Sequence, residues 1–223
     1  MQGKLSNQSV PICNVLIVDD HPAVREGLLM RINQQQDMRV SAEASGVQEA
    51  LQLLGKRPAD VAVIDISLKD GNGIDLIQRI KAARYQVRIL VWSMHPDNLY
   101  AERALRAGAL GYINKENTTG QLVEAIRSVS RDEPCFSPEI TRQMLNNSLA
   151  KKGQETLAQR LSNRELDVFK MIGEGLKTSV IAQRLCISVH TVETHRQRIK
   201  TKLNLNSAAE LTTRAARWMV EEC

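Results

Sequence analysis

The sequence predicts an N-terminal α/β domain with a doubly wound, five-stranded parallel sheet, followed by a small all-α domain of four helices. In the first part, short apolar runs alternate with amphipathic stretches. The central runs lack the polar alternation of a half-exposed strand, which favours strands covered by helices on both faces. After the first two thirds of the chain, only helical spacing is found. The 223 residues are enough for two such domains.

Each strand candidate in the first part is followed by a helix candidate. The strand candidates are 12–18, 38–44, 60–66, 87–93 and 110–114. Apolar residues recur at helical spacing in 23–34, 47–55, 74–83, 97–107 and 119–131. Consecutive β-then-α units predict one domain over residues 12–132, in which ligands bind outside the carboxyl ends of the strands.

A looser segment separates this domain from the helical one. Residues 133–156 contain prolines and many small polar residues, and they show no sustained period. We interpret them as a linker that has room for one helix, at 138–149.

The helical domain is predicted over residues 157–223. Its first helix begins with a capping box, Ser162 and Glu165, and ends at a pair of glycines. A short helix and a tight break follow, and Ser188 is placed to cap a long third helix. Ser207 opens the fourth helix.

Composition and charge exclude several classes of protein. No apolar run approaches the roughly 20 residues of a membrane helix, and the N-terminus lacks the apolar region of a signal peptide, so we expect a cytoplasmic protein without a membrane partner. The cysteines are scattered, which favours neither a disulfide framework nor a zinc site. They are Cys13, Cys135, Cys186 and Cys223.

The positive charge is concentrated in the helical domain. Residues 12–132 contain 15 Lys and Arg against 15 Asp and Glu, whereas residues 157–223 contain 11 against 7, a net charge of +4. This distribution fits a C-terminal unit that binds a polyanion. A charge of this size is also common on ordinary solvated helices.

Charged and polar residues follow the predicted strands where their carboxyl ends meet. Asp19 and Asp20 end the first strand, Asp65 the third and Ser93 the fourth, and Lys115 follows the fifth. Three carboxylates at one edge of a sheet need a cation, and Mg²⁺ prefers such hard oxygen ligands. Taken alone, Asp19 is equally consistent with a helix cap.

The motifs "VDDH", "VIDISL", "VWSM" and "GYINK" at these intervals resemble the receiver domain of two-component response regulators. The resemblance covers residues 12–132 and implies the strand order 2-1-3-4-5, as in flavodoxin. It identifies Asp65 as the phosphate acceptor. It also implies that Mg²⁺ is bound by Asp19, Asp20, Asp65 and the backbone carbonyl of Ser67.

The same resemblance assigns three further roles. Lys115 contacts the phosphoryl group, and Ser93 and Tyr112 are switch residues. The charge of a new phosphoryl group is expected to draw Lys115 and Ser93 toward it, and Tyr112 then enters the vacated space from outside. Two positions depart from the family: Lys69 replaces a frequent proline, and Glu116 replaces the proline that often follows the lysine.

The segment from Leu161 to Leu203 resembles the LuxR-type helix-turn-helix of NarL/FixJ-class regulators, and the resemblance extends over about 157–220. Val192, His195 and Ile199 share one face of the third helix at helical spacing, and that face should pack on the first two helices. The polar side is suited to the major groove. The residues expected to contact DNA are Lys177, Ser188, His190, Thr191, Glu193, Thr194, Gln197, Arg198, Lys200 and Lys202.

Two features of the helical domain leave questions open. Thr178-Ser179-Val180 stands where relatives often have Asn-Lys-Glu. The last helix pairs two such domains by resemblance, and its apolar stripe is the candidate contact, but Trp218 packing inside its own domain is the alternative. The stripe consists of Leu211, Ala215, Trp218 and Met219.

The sequence therefore predicts a transcriptional response regulator rather than an enzyme, with only its own phosphoryl transfer and dephosphorylation as chemistry. The partners implied are a histidine kinase, a second copy of the phosphorylated chain, a two-fold promoter site in double-stranded DNA, and RNA polymerase. One alternative is a phosphatase that forms an aspartyl-phosphate. Another is a DNA-binding regulator that acts through protein contacts without phosphorylation.

Overall fold

The computed structural model describes residues 12–95, 97–116, 118–142 and 157–222. The N-terminal domain contains one large sheet with helices on both faces, and the C-terminal domain is helical. Within the described residues, no helix is both long enough and apolar enough to span a bilayer.

Five strands form one parallel sheet in the order β2-β1-β3-β6-β7. The remaining two, β4 and β5, pair antiparallel in a small hairpin. Because β6 and β7 are the fourth and fifth strands of this sheet along the chain, the order corresponds to the predicted 2-1-3-4-5. The prediction is confirmed. The strands are β1 Cys13–Val18, β2 Met38–Ala44, β3 Val61–Ile64, β4 Ser67–Leu68, β5 Gly71–Asn72, β6 Arg88–Ser93 and β7 Gly111–Asn114.

Five helices cover the sheet and five form the C-terminal domain, within the ranges that the structure describes. The first group is α1 Pro22–Asn33, α2 Val47–Lys56, α3 Gly73–Ala82, α4 Asp97–Ala107 and α5 Thr119–Ser130. The second group is α6 Leu157–Arg160, α7 Asn163–Gly173, α8 Thr178–Arg184, α9 Val189–Leu203 and α10 Ala208–Glu222.

The alternation along β1 shows that both faces of the sheet are covered. Val15 and Ile17 belong to an apolar cluster that includes residues of α1 and α5. Leu16 and Val18 belong to a second cluster with residues of α2, α3 and α4. Because successive side chains of a strand point to opposite faces, the strand is buried on both sides, as the lack of polar alternation predicted.

Two local elements differ from the sequence-based expectation, and a third agrees with it over the residues that the structure describes. The hairpin β4–β5 and the single turn α6 were not predicted, because elements of two to four residues carry no readable period. Residues 138–142 are helical, and the rest of the helix predicted at 138–149 lies outside the described residues.

The apolar stripe of α10 lies in the core of the C-terminal domain. Leu211 and Ala215 are fully buried, Trp218 is 3% exposed, and the Trp218 ring lies 5.6 Å from the Phe169 ring of α7. Trp218 therefore packs inside its own domain against α7, as the alternative predicted. That the last helix pairs two such domains stays a prediction.

The two domains share one apolar cluster. Buried residues of α4 in the N-terminal domain and of α7 in the C-terminal domain belong to it. The capping box that opens α7 is formed, since Ser162 accepts from the N–H of Glu165 and Glu165 accepts from the N–H of Ser162. A well-formed helix end therefore lies at the contact between the domains.

Candidate functional site

Two carboxylates and an ammonium group meet at the carboxyl ends of the strands. Asp19 follows β1 and Asp65 follows β3, and the N–H of Asp65 donates to the carbonyl of Val18 (2.8 Å). The Nζ atom of Lys115, which follows β7, lies 2.7 Å from Asp19 Oδ2 and 2.9 Å from Asp65 Oδ2. The side chains of Asp19, Asp65 and Lys115 are 2%, 4% and 9% exposed, respectively. These ion pairs therefore form away from solvent.

Burial and neighbouring charges change the ionisation of this centre. Loss of solvent raises the pKa of Asp65 and the charge of Asp19 adds to the increase, while Lys115 and a hydrogen bond from Ser93 oppose it. Burial would lower the pKa of Lys115, but its two carboxylate partners outweigh burial and raise the pKa overall. Lys115 therefore stays cationic at neutral pH, and one ammonium group faces more than one carboxylate.

Asp20 and His21 extend the acidic group toward solvent. One ligand atom from each of Asp19, Asp20, His21 and Asp65 lies within 4.8 Å of the others. Oδ1 of Asp20 is buried, and among the described residues it has no hydrogen bond of acceptable geometry, although His21 Nδ1 is 2.7 Å away. Clustered carboxylate oxygens with one unsatisfied acceptor fit Mg²⁺. The sequence did not identify His21, which is 66% exposed.

Both predicted switch residues contact the segment that follows β6. Ser93 is fully buried, and its hydroxyl accepts from the N–H of His95 (3.3 Å). The hydroxyl of Tyr112 donates to the carbonyl of His95 (2.8 Å), and Tyr112 is 2% exposed. This hydrogen bond and the surrounding apolar cluster hold the Tyr112 ring inside the domain. Its role as a switch residue stays a prediction. His95, which the sequence did not identify, contacts both Ser93 and Tyr112.

The loop after Asp65 is attached to two helices. It begins at Ser67, whose carbonyl is the remaining predicted metal ligand. Asp70 accepts from the first two N–H groups of α2 (2.7 and 3.1 Å), and Asn72 caps α3 by accepting from an N–H of its first turn (2.9 Å). Lys69, which the resemblance places where the family often has proline, is exposed. In this loop Lys69 therefore lies in solvent, whereas Asp70 caps α2.

Helix α9 has one buried face and one open face. Val192 and Ile199 are fully buried, as predicted, and His195 is half-buried. All ten residues expected to contact DNA are at least partly exposed. Ser188 also caps the helix by accepting from an N–H of its first turn (3.0 Å), and Lys202 donates to a buried glutamate of α7 (2.6 Å). The open face is therefore available to a groove.

Glu193 on this open face is held by two neighbours. Its Oε1 accepts from the Thr178 hydroxyl of α8 (3.0 Å), and its Oε2 lies 3.6 Å from Nε of Arg196. Thr178 is the first of the three residues that the resemblance sets against the family's Asn-Lys-Glu. Its hydroxyl therefore helps to orient the acidic residue of α9.

Both domains match known family models, which define the class of protein. The response regulator receiver domain matches residues 15–127, and the bacterial regulatory proteins of the luxR family match residues 159–215. The chain belongs to the two-component response regulators that combine a receiver domain with a LuxR-type regulatory domain.

Similar proteins span nearly the whole chain. The oxygen regulatory protein NreC of Staphylococcus carnosus is 36% identical over 203 residues, which cover 88% of this chain and 94% of that protein. NreC of Staphylococcus haemolyticus is 35% identical with the same coverage. The structure of RcsB from Salmonella enterica serovar Typhimurium bound to the promoter rprA with the phosphomimetic BeF₃⁻ is 25% identical, covers 92% of this chain and 98% of that one, and has a TM-score of 0.59.

Proposed function

We propose that Asp65 accepts a phosphoryl group from a histidine kinase, and that this modification controls dimerisation and sequence-specific binding to double-stranded DNA. The observation that carries the proposal is the buried centre in which Lys115 joins Asp19 and Asp65 at the carboxyl ends of the strands. The only chemistry proposed for the chain is phosphoryl transfer to its own Asp65 and the later loss of that group.

The transfer requires mainly positioning and charge neutralisation. A carboxylate oxygen of Asp65 attacks the phosphorus of a phosphohistidine whose other ring nitrogen is protonated. The P–N bond breaks as the P–O bond forms, the electron pair of the P–N bond stays on the ring nitrogen, and neutral imidazole leaves. Lys115, 2.9 Å from Asp65 Oδ2, supplies positive charge beside the reacting group. Asp19, Asp20, Asp65 and the Ser67 carbonyl would hold Mg²⁺, which neutralises phosphoryl charge when bound.

The second half of the proposal concerns α9, which enters the major groove with its open face. Gln197 is suited to adenine, and Glu193, held by Thr178, is suited to the amino group of cytosine. Lys177 and Arg198 contact phosphates, which fix position without reading sequence. The promoter-bound structures of RcsB support DNA binding by this class of domain.

The remaining parts of the proposal concern organisation and partners. The receiver domain occupies 12–132, the linker 133–156 and the DNA-binding domain 157–223. The phosphorylated chain forms a homodimer on a two-fold promoter site in the cytoplasm, with RNA polymerase as a further partner. Because the apolar stripe of α10 is buried, pairing through this helix uses its outer side, where Ala216 and Val220 are exposed.

Labelling with acetyl phosphate and Mg²⁺ tests the acceptor. Intact-mass measurement should show one phosphoryl group on the wild type and none on Asp65→Asn. The matched control is Asp70→Asn, which changes an exposed carboxylate five residues away and preserves a capping side chain. Undiminished labelling of Asp65→Asn would refute the assignment.

Selection of bound DNA from genomic fragments tests the regulatory half. With beryllium fluoride, the wild-type chain should enrich sites with two-fold symmetry, and without it the enrichment should fall. Equal enrichment under both conditions would favour the alternative in which phosphorylation plays no part.

A further inference from the structure

We propose that the DNA-binding domain is a gate on Asp65: its helix α7 docks over the acceptor site and must separate before a phosphoryl donor enters, while α9 stays open throughout. This inference rests on the proposed function, because it concerns access to the same acceptor. It differs from masking of the DNA-reading helix, since the closed contact uses another helix of the domain.

The first contact of the gate is a buried carboxylate on α7. Asp167 is 6% exposed, and its Oδ1 accepts from the hydroxyl of Tyr100 in α4 (3.0 Å). Its Oδ2 accepts from the side-chain amide of Asn72 (3.1 Å), in the loop that follows the acceptor. Asp167 thus bonds two separate elements of the receiver domain, and it would be hydrated if the domains separated.

The second contact lies one helical turn earlier on the same face of α7. The Asn163 side chain accepts from the Arg103 guanidinium of α4 (2.7 Å) and donates to Asp75 of α3 (2.8 Å). The same guanidinium donates to the carbonyl of Leu161 (2.9 Å). Both contacts satisfy the polar groups of both partners, so the docked position is well defined.

The docked domain closes a cleft beside the acceptor site. The cleft measures ≈ 140 Å³, which is too small to admit any surface of a kinase. Asp65 itself does not line the cleft, and it is 4% exposed. The lining residues that matter here are Asp20, Ser67 and His95 from the receiver domain and Arg164, Lys170 and Arg184 from the DNA-binding domain.

A chain of contacts connects the acceptor loop to the gate. The hydroxyl of Ser67 is hydrogen-bonded to Nε2 of His95 (2.9 Å), and the His95 ring lies 4.4 Å from the Tyr100 ring. Tyr100 in turn donates to Asp167. A phosphoryl group that moves the loop or the switch residues therefore disturbs the first gate contact, and by linkage separation of the domains favours phosphorylation.

The DNA-reading face takes no part in these contacts. His190, Glu193 and Gln197 are exposed in the docked arrangement. Opening the gate is consequently expected to change the rate at which Asp65 is modified more than the basal affinity of α9 for DNA.

The test measures the rate of acetyl-phosphate labelling in the full-length chain with Mg²⁺. Asp167→Ala and Asn163→Ala each remove one gate contact, and both lie outside the receiver domain, so they leave the acceptor chemistry untouched. Each should raise the rate about tenfold, a shift of about 1.4 kcal/mol in the equilibrium between docked and separated domains. The control is Glu221→Ala, which removes an exposed carboxylate from α10.

The outcomes separate the gate from the proposed function. A wild type that is not labelled at all contradicts the proposed function. A labelled wild type whose two variants react within twofold of it overturns the gate alone. If circular dichroism shows that Asp167→Ala has lost helicity, the labelling rate of Asn163→Ala alone decides whether the gate exists. A rise in rate matched by an equal rise in affinity of the unphosphorylated protein for random-sequence duplex DNA also overturns the gate, because α9 would then have been masked.

Discussion

Replacement of Lys115 by methionine tests whether its ammonium group compensates the acidic centre. Methionine has a similar length and no charge, so Asp19 and Asp65 lose the partner that lies 2.7 and 2.9 Å away. Removing one member of a buried ion pair typically costs about 3–5 kcal/mol, because a charge remains buried without compensation. Since the site borders solvent at Asp20, we expect about 3 kcal/mol, the lower end of that range.

The stability lost in Lys115→Met should depend on pH and on Mg²⁺. Because burial raises the pKa of Asp65, the stability linked to its protonated form is complete below the ordinary pKa of 3.8 and is lost as pH rises through the raised value. Lys115 is the main group that opposes the increase in the pKa of Asp65. In Lys115→Met the pKa of Asp65 therefore rises further, and the loss of stability relative to the wild type grows toward neutral pH. A divalent cation should then restore stability more in the variant than in the wild type.

Urea unfolding at pH 5 and pH 7.5, with and without Mg²⁺, measures these differences. Lys56→Met is the matched control, since this exposed lysine at the end of α2 should change stability by less than about 0.5 kcal/mol. A Lys115→Met chain that is as stable as the wild type at pH 7.5 without metal would refute the compensation argument.

Three further predictions follow from the same structure. Trp218→Ala should destabilise the DNA-binding domain by about 3–5 kcal/mol, with a midpoint in calorimetry that is independent of protein concentration, because this ring is core. Asp70→Ala should cost about 1 kcal/mol in urea unfolding, because it uncaps α2. Gln197→Ala should relax preference at one base pair in binding-site selection, whereas Lys177→Ala should weaken binding to all sequences alike and reduce its salt dependence.

The sheet and its helices were predictable because their signals are local and repeated. The uninterrupted run from Val15 to Val18 predicts a strand buried on both faces, and each of its residues is at most 1% exposed. The order of the strands came from the family resemblance. The hairpin β4–β5 escaped prediction because two-residue strands have no period, and its existence depends on the geometry of the loop.

The residues of the candidate site that follow strands were predictable, because the carboxyl ends of parallel strands meet at one edge of the sheet. The residues that only tertiary packing brings together were not predictable. Asp19, Asp65 and Lys115 meet because each follows a strand of one parallel sheet. In the sequence, Asp167 has the position of an ordinary polar residue of an amphipathic helix. Only the docking of α7 buries it against Tyr100. No periodicity or spacing links residues that are 67 positions apart.

The loop from Ser67 to Asn72 explains how one modification can influence distant parts of the chain. Ser67 contacts His95, Asp70 caps α2, and Asn72 both caps α3 and donates to Asp167. A loop with these attachments cannot shift without affecting two helix ends and the contact with α7. Phosphorylation two residues before this loop would therefore act on several bonds at once, which provides the differential contacts that a two-state switch requires.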